Sequence, residues 1–149
     1  TEVSFDARQE TLNLTTLGFL AEGNLVNIER SFRQDAEVGG HILSGHVDAM
    51  ATIVAIEESA NKKIVYYQLP AELQKYVFKK GFVAVHGCSL TVVDVNRADS
   101  TFCISYIPET LRVTTHRQKA QGDRVNIEID RQTQVIVDTV ERVLAERDL

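Results

Sequence analysis

The sequence predicts an all-β fold: a duplicated six-stranded antiparallel barrel, with an incomplete first copy, followed by a C-terminal α-helix. Three observations predict it. A stretch of twenty residues recurs without a gap, six short runs have strand-like patterns, and the last residues change to a helical period. A closed barrel leaves no exposed strand edges, and a parallel α/β sheet is excluded because no predicted crossover helix is long enough.

Residues 10–29 recur as residues 109–128, at a constant offset of 99. Eleven of the twenty aligned positions are identical, including a shared Glu-Thr-Leu sequence and a shared Val-Asn-Ile-Glu sequence. Common secondary structure would conserve the polarity pattern but not the residues themselves. The repeat therefore indicates a duplicated domain.

The first copy has no counterpart of residues 41–101, so we expect the chain to begin inside a repeat. Thr1 in place of Met, without a leader-like segment, fits truncation or processing. The predicted domains are a remnant of the first barrel at residues 1–32, a complete second barrel at 33–131, and a terminal helix at 132–149. The remnant is predicted to contain a strand, a short helix and another strand.

Six runs in the second copy have the alternation, or the β-branched and aromatic content, that is typical of strands. They are residues 45–57, 63–69, 81–86, 89–95, 101–107 and 124–129. Short helices are predicted at residues 70–77 and 108–112, each with Pro in its first turn.

After Asp130 the apolar residues follow a helical period and form one stripe, while charged residues face away from it. A terminal helix of this kind either packs on its own barrel or associates with copies of itself. The stripe is narrow and rich in β-branched residues, which favours self-association. Its members are Val135, Ile136, Val140, Val143 and Leu144.

The net charge of −5, with no cluster of Lys or Arg, argues against a nucleic-acid partner, because such binding depends on counterion release at a basic surface. The apolar runs are far shorter than the ~20 residues that cross a bilayer. Cys88 and Cys103 lack a Cys-x-x-Cys spacing, which indicates free thiols in a reducing cytosol. The composition predicts a cytoplasmic protein that binds neither nucleic acid nor membranes.

Several polar residues are candidates for a site. His46 can titrate near neutral pH, although a lone histidine at a strand start is more often a surface or core residue. His41 lies five residues earlier, but no third ligand follows at a suitable spacing, which argues against zinc. Alternation sends Ser89 and Thr91 to one face, where they line a polar pocket or simply belong to a Thr-bearing strand after a turn.

Four strings occur in a fixed order: GGHILSGHVD from Gly39, KKGFVAVHGCSLTV from Lys79, SYIPETLRVTT from Ser105 and VNIEID from Val125. Together they resemble the riboflavin synthase family, in its bacterial form with a terminal DTVERVL helix. The resemblance covers essentially the whole chain and implies a Greek-key barrel. The family's N-terminal opening and the first copy of its NGxxLT loop do not occur in this sequence.

The resemblance implies a dismutation in which one 6,7-dimethyl-8-ribityllumazine donates a four-carbon unit to another. The products are riboflavin and 5-amino-6-(D-ribitylamino)uracil, and neither a metal nor an organic cofactor is implied. In the family, which forms homotrimers, the active site lies between the N-terminal barrel of one subunit and the C-terminal barrel of another. Two like substrates suit two like barrels, and holding both in reacting register supplies much of the rate.

The same resemblance assigns catalysis, including proton transfer, to four residues: His46, Ser89, Thr91 and Asp130. It implies substrate contacts at both copies. Those of the second copy are Gly45, His46, Val47, Lys80, Ser89, Leu90, Thr91, Tyr106, Ile107, Pro108, Glu109, Thr110 and Leu111. Those of the first copy are Asp6, Ala7, Arg8, Gln9, Glu10 and Thr11.

Some of these residues have simpler structural explanations. Lys80 is placed to cap the preceding helix, and Asp130 is placed as a solvated N-cap of the following one. The first copy has Ser31 at the position of Asp130, which would let one barrel hold the donor and the other the acceptor. The competing function is a non-catalytic lumazine- or flavin-binding antenna protein of the same fold. Retention of the four polar residues assigned to catalysis favours the enzyme.

Overall fold

The structure is a computed structural model that describes residues 2–33, 35, 37–60 and 62–147. Six antiparallel strands close into a barrel, in the order β1-β2-β5-β4-β3-β6. The strands are β1 (Ala49–Ser59), β2 (Lys62–Gln68), β3 (Phe82–Val85), β4 (Cys88–Asn96), β5 (Thr101–Tyr106) and β6 (Arg124–Ile129). The predicted six-stranded barrel with a terminal helix is confirmed.

Three α-helices and three short 3₁₀ helices accompany the strands in the described part of the chain. The α-helices are α1 (Gln9–Leu14), α2 (Pro108–Val113) and α3 (Arg131–Arg147). The 3₁₀ helices are Thr16–Phe19, Ala71–Tyr76 and Thr115–Gln118. Among the described residues, no helix is both long enough and apolar enough to span a membrane.

The core fills the inside of the barrel with alternate residues of each strand. Val83 and Val85 of β3 are fully buried, and so are Val125 and Ile127 of β6. The residues between them therefore point outward. This alternation decides which predicted site residues reach the outer face of the barrel.

Most strand boundaries differ from the prediction by one or two residues, and two of the differences bear on the site. β1 begins at Ala49 rather than at Gly45, whose φ of +78° is a left-handed conformation that interrupts a strand. β3 ends at Val85, because His86 and Gly87 form a two-residue turn with φ values of +51° and +78°. The expectation that His46 lies at a strand start is therefore wrong, since it lies in the segment before β1.

Each helix of the first copy has an equivalent in the second copy, 99 residues later, as the sequence repeat requires. α1 corresponds to α2, and the 3₁₀ helix Thr16–Phe19 corresponds to Thr115–Gln118. Two hydrogen bonds between the copies are also reciprocal. The Thr16 N–H donates to Asn126 Oδ1 at 2.7 Å, and the Thr115 N–H donates to Asn27 Oδ1 at 2.8 Å. Each copy thus binds the other through the same pair of positions.

Residues 25–30, the counterparts of β6, form no strand, and none occurs in residues 2–33. The two strands predicted for the first copy are therefore a wrong prediction. A strand is stable only beside a partner, and β6 has two partners, β1 and β3, whose counterparts the described N-terminal residues lack. Ile28 is consequently 80% exposed, whereas its counterpart Ile127 is 0% exposed.

The side of helix α3 that packs on the barrel carries both apolar and polar residues. Val137 contacts the core, and Tyr76 Oη donates to Asp138 Oδ1 at 2.5 Å. Lys75 forms ion pairs with both Asp138 and Glu141. The helix is therefore attached to its own barrel largely by polar contacts.

The apolar stripe of α3 is exposed. Each residue turns the helix by about 100°, so Val135 points to a different side from Ile136, Val140 and Val143. The stripe has four members rather than the five predicted: Ile136, Val140, Val143 and Leu144, all of them exposed.

Candidate functional site

Several predicted site residues lie on the outer face of β4, β3 and β6. Ala84 of β3 pairs with Ser89 of β4 on one side and with Glu128 of β6 on the other. The neighbours of Ala84 face the core, so these three residues and Thr91 face outward. Ala84 and Glu128 are nonetheless buried, because the segment before β1 covers them.

This covering segment, defined as residues 37–47, approaches Ser89 closely at Gly40. A Cβ atom on Gly40 would lie 2.4 Å from Ser89 Oγ and 2.7 Å from Ser89 Cβ, so only glycine fits there. The next residue, His41, donates its backbone N–H to Ser89 Oγ at 3.0 Å. The Nδ1 atom of His41 lies 2.6 Å from the same oxygen.

The imidazole of His41 also makes an aromatic contact. It stacks on Phe82 with the ring centroids 5.3 Å apart. Burial lowers the pKa of His41 below its ordinary value, against the opposing charges of Asp130 and Glu128. His41 is therefore neutral at neutral pH. Its Nε2 atom is buried and has no hydrogen-bond partner among the described residues.

Farther along the covering segment, Glu128 binds two successive residues. Its Oε1 atom accepts from the Ser44 N–H at 2.6 Å and from Ser44 Oγ at 2.8 Å, and its Oε2 atom accepts from the Gly45 N–H at 3.1 Å. His46 Nδ1 lies 3.0 Å from Ser44 Oγ. Because Ser44 gives its hydroxyl hydrogen to Glu128, its oxygen is left to accept from His46. This favours the tautomer with the proton on Nδ1, and Nε2 of the exposed His46 becomes the basic nitrogen.

The end of the covering segment is fixed to the start of α3. Asp48 Oδ2 accepts from the Ile129 N–H at 2.8 Å, and Asp48 Oδ1 accepts from Arg131 at 2.9 Å. Arg131 also donates to the backbone carbonyl of His46 at 2.8 Å. These bonds fix the backbone from which the His46 side chain projects.

Asp130 is the N-cap of α3. Its Oδ2 atom accepts from the Thr133 N–H at 3.1 Å and from Thr133 Oγ1 at 2.7 Å. Burial disfavours the charge on this carboxyl, but the hydrogen bonds outweigh it and hold the pKa of Asp130 below its ordinary value. The structure thus has the capping arrangement considered above. A carboxylate with a lowered pKa is a weak proton acceptor, so a catalytic role for Asp130 stays a prediction.

The remaining residues of the β3–β4 hairpin divide between the two faces. Leu90 belongs to the core and does not reach the outer face, whereas Thr91 is exposed there. Lys80 lies in the tight turn before β3 with a φ of +66°, and its N–H donates to the Val92 carbonyl at 2.8 Å. The exposed side chains of Lys80 and Thr91 therefore lie at the same end of this hairpin.

The predicted edge at residues 106–111 is also divided. Tyr106 is buried in the core, where its Oη lies 2.6 Å from Tyr67 Oη and 3.1 Å from His116 Nδ1. Val92 pairs with Ile104, and extending that register places the exposed Ile107 beside Ser89. Tyr106 is thus part of the barrel interior, and Ile107 begins the accessible edge.

The other members of this edge belong to α2. Pro108 and Glu109 are exposed in its first turn, and Glu109 pairs with Arg112. The Thr110 carbonyl accepts from Thr114 Oγ1 at 2.6 Å, and Leu111 packs partly against the core.

Residues 6–11 lie at the start of α1 and just before it, and five of the six are exposed. Gln9 donates to Asn13 at 2.9 Å, and the Thr11 carbonyl accepts from Thr15. Within the described ranges, residues 6–11 make no hydrogen bond to the covering segment or to the outer face of β4, β3 and β6. The structure does not bring them together with Ser89.

A cavity of about 450 Å³ lies elsewhere, between residues 16–27 and the barrel. Asn27, Asn126 and His86 contribute to its wall, and none of the predicted substrate contacts does. It therefore belongs to the junction between the two copies rather than to the candidate site.

Three residues of the site escaped the sequence prediction: His41 as a partner of Ser89, Ser44 as a partner of His46, and Glu128 as a partner of Ser44. The alternation of β6 places Glu128 on the same face as Asp130, which was a usable signal. Nothing in the sequence indicated that the covering segment crosses this face. The residues that the structure describes contain no group of three or more His, Cys, Asp or Glu side chains suited to a metal ion.

Comparison with known proteins identifies the same family as the sequence motifs do. The lumazine binding domain matches residues 44–130. The chain is 48% identical to the riboflavin synthase of Escherichia coli (strain K12) over 147 residues, which are 98% of this chain and 68% of that protein. It is 45% identical to the riboflavin synthase of Chlamydia pneumoniae over 144 residues, with 97% and 69% of the two chains covered.

Solved structures agree with the fold. The crystal structure of LumP complexed with riboflavin has a TM-score of 0.72 and 26% identity, covering 81% of this chain and 65% of that one. LumP complexed with flavin mononucleotide has a TM-score of 0.68 and 26% identity, covering 81% and 63%. The chain thus spans about two thirds of the length of these relatives. The domain match and the identity to two curated enzymes show that the chain belongs to the riboflavin synthase family of lumazine-binding proteins.

Proposed function

We propose that this chain supplies one complete barrel of a riboflavin synthase, which converts two molecules of 6,7-dimethyl-8-ribityllumazine into riboflavin and 5-amino-6-(D-ribitylamino)uracil. The observation that carries the proposal is the 48% identity to a curated riboflavin synthase over nearly the whole chain. The polar groups of the outer face and of the covering segment support it, because they include hydroxyls and an exposed imidazole.

One lumazine would bind at the outer face, against Ser89 and Thr91 and along the edge that begins at Ile107. The Ser89 and Thr91 hydroxyls suit a polar heterocycle with a ribityl chain. His46 would accept or return a proton through Nε2, because its Nδ1 atom is bound to Ser44. A positioned acid or base of this kind contributes roughly 10²–10⁴-fold to a rate.

The second lumazine would bind at the other copy of the barrel, to which residues 1–32 belong. The sequence repeat and the reciprocal bonds of Asn27 and Asn126 support this division, with residues 33–131 as the complete barrel. Most of the rate would come from holding the two heterocycles in reacting register. We expect the chain by itself to bind one lumazine and to turn it over slowly at most.

A homotrimer formed through residues 132–149 is part of the same proposal. The exposed apolar stripe of α3 supports it, since an apolar stripe of this size is normally covered. Val140→Asp would place a charge within the stripe and should lower the mass measured by light scattering to that of a monomer. An unchanged mass would contradict the role of α3 in assembly. A cytoplasmic location stays a prediction supported by the two free thiols, Cys88 and Cys103.

The second candidate is a non-catalytic antenna protein that holds a lumazine or flavin. LumP, whose structures contain riboflavin and flavin mononucleotide, supports the same class of ligand. The enzyme is favoured, because the relatives that are 45–48% identical are riboflavin synthases, whereas the identity to LumP is 26%.

Two measurements on one preparation test these functions. Riboflavin fluorescence titration measures binding, and chromatography after incubation with 6,7-dimethyl-8-ribityllumazine measures conversion. Conversion should give one riboflavin for every two lumazines consumed, and fusion to the N-terminal third of the Escherichia coli relative should raise it strongly. Binding without conversion in both forms would indicate the antenna protein, and absence of binding would contradict both functions.

His46→Ala tests the proposed base in the converting form. The rate should fall roughly 10²–10⁴-fold while the fold persists, because the covering segment is still held by Glu128 and Ser89. Lys62→Gln, an exposed change at the start of β2, is the matched control and should leave the rate unchanged. An unchanged rate in His46→Ala would remove this histidine from the mechanism.

A further inference from the structure

We propose that His41 is a positioning residue that makes the Ser89 hydroxyl a hydrogen-bond donor to the lumazine ring. The inference rests on the proposed function, since it concerns the ligand that Ser89 would bind. It is carried by the contacts of a single oxygen atom. Ser89 Oγ lies 3.0 Å from the backbone nitrogen of His41 and 2.6 Å from its Nδ1 atom.

A serine hydroxyl has one hydrogen and two lone pairs. The His41 N–H occupies one lone pair of Ser89 Oγ. Nδ1 then either donates to the second lone pair or accepts the hydroxyl hydrogen. In the first case Ser89 can only donate to a ligand, and in the second case it can only accept. The tautomer of His41 therefore sets the polarity of Ser89.

The surroundings of the other ring nitrogen select between the two tautomers. His41 Nε2 is buried without a partner. A buried N–H that lacks an acceptor is less well tolerated than an unused lone pair, so the proton belongs on Nδ1. Nδ1–H then donates to Ser89 Oγ, and the hydroxyl hydrogen points to an acceptor beyond the protein. Carbonyl oxygens and unprotonated ring nitrogens of the lumazine are such acceptors.

The position of the His41 ring is also constrained by its packing. Stacking on Phe82 fixes the plane of the ring, and the close approach of Gly40 to Ser89 fixes the backbone before it. The charged groups near the ring are Asp130 and Glu128, and burial keeps the pKa of His41 below its ordinary value in spite of them. The ring is thus a neutral donor with one orientation.

Two substitutions at His41 distinguish the contribution of the aromatic ring from that of its hydrogen bond to Ser89. His41→Phe keeps an aromatic ring on Phe82 but removes Nδ1, whereas His41→Asn keeps an amide that can donate near the position of Nδ1. Riboflavin fluorescence titration should show binding weakened about tenfold in His41→Phe and largely restored in His41→Asn. Thermal unfolding of each variant checks that the fold is retained.

A double-mutant cycle with Ser89→Ala tests whether His41 acts through Ser89. In the Ser89→Ala background, His41→Phe should weaken riboflavin binding less than about twofold, because the hydroxyl that it orients is gone. An equal loss in both backgrounds would mean that His41 only supports the covering segment. No loss in either background would also overturn the inference.

The ¹⁵N resonances of the His41 ring separate this inference from the proposed function, because they need no ligand. Nδ1 should carry the proton, and its resonance should shift in Ser89→Ala. An unprotonated Nδ1 overturns the donor assignment even if riboflavin binds. If wild type binds no riboflavin, the proposed function fails and the ligand role of His41 fails with it, whatever the resonances show.

Discussion

The two copies of the repeat, residues 9–30 and 108–129, have nearly the same local structure until the point where a strand should begin. Both have a six-residue helix, a threonine cap and a four-residue 3₁₀ helix at matching positions. Only the second copy continues into a strand, β6. The helices and caps depend on neighbours in the chain, whereas the strand depends on partners elsewhere in the fold.

The threonine caps show how local the shared part is. Thr15 Oγ1 accepts from the Leu17 N–H at 3.2 Å, and Thr114 Oγ1 accepts from the His116 N–H at 3.4 Å. Both threonines also donate to a carbonyl four residues earlier. None of these bonds needs the rest of the barrel. The same amino acids therefore specify the same turn in both copies, but not the same sheet.

The largest expected effect comes from the matched isoleucines of the two copies. Ile127→Ala should lower the free energy of unfolding by about 2–5 kcal/mol, because it leaves a cavity in the barrel core. Ile28→Ala changes an exposed side chain in the same Val-Asn-Ile-Glu sequence and should change it by less than about 0.5 kcal/mol. Urea denaturation of both variants measures the difference. Equal losses would mean that residues 25–30 are buried as deeply as β6.

Much of the barrel was predictable, because alternation and β-branched content are properties of each strand by itself. All six strands were predicted, and so was α3. The start of β1 was not, because alternation continues through residues 45–48 while the positive φ of Gly45 breaks the strand. The 3₁₀ helices at 16–19 and 115–118 were also missed, since four residues are too few to show a period. The threonine caps were the available signal.

The site was less predictable than the fold. Ser89 and Thr91 followed from alternation, and the same alternation shows that Leu90 and Tyr106 belong inside the barrel with Ile104. The contacts of the covering segment could not be predicted, because its bonds to Ser89 and Glu128 join residues 48 to 84 positions apart. Local sequence patterns carry no information about such contacts.

The next largest effect on stability is expected at a position where the two copies differ. The second copy has His116 there, and the first copy has Leu17. Burial, with a smaller contribution from the nearby His86, lowers the pKa of His116 to about 4. The ordinary value is 6.5, so the unfolded chain binds protons first as the pH falls. The free energy of unfolding therefore has its full value above about pH 6.5, and the contribution of His116 lowers it as the pH falls from 6.5 to 4. At pH 5 the loss should be about 2 kcal/mol from His116 alone.

His116→Leu, which copies the residue of the first repeat, tests this assignment. Its free energy of unfolding should fall less between pH 7 and pH 5 than that of wild type. Part of the slope should remain, because burial also lowers the pKa of His86 to about 4. Identical pH dependence in the variant and in wild type would show that His116 is not the group that titrates.

A smaller effect is expected at the glycines that end the shared turn. Gly23 and Gly122 have φ values of +85° and +92°, and a Cβ on either would have no atom within 4 Å. Alanine would therefore introduce backbone strain alone, about 1–2 kcal/mol. Gly122→Ala should show this loss in urea denaturation, because its turn leads into β6. Gly23→Ala should show less, and a larger loss there would mean that the first copy contributes as much to global stability as the second.

The smallest effect concerns the reciprocal bonds that join the copies. Asn126→Ala removes the acceptor for the Thr16 N–H, and Asn27→Ala removes the acceptor for the Thr115 N–H. Each variant should lose about 1 kcal/mol, and Asn27→Ala slightly more because Asn27 also donates to the His86 carbonyl at 3.1 Å. If the two hydrogen bonds act together, the double variant should lose less free energy of unfolding than the sum of the two single losses. The reason is that the first substitution already frees the N-terminal segment. Urea denaturation measures the losses, and limited proteolysis of residues 20–25 measures the release directly. Additive losses with unchanged proteolysis would show that each bond acts alone and that other contacts hold the copies together.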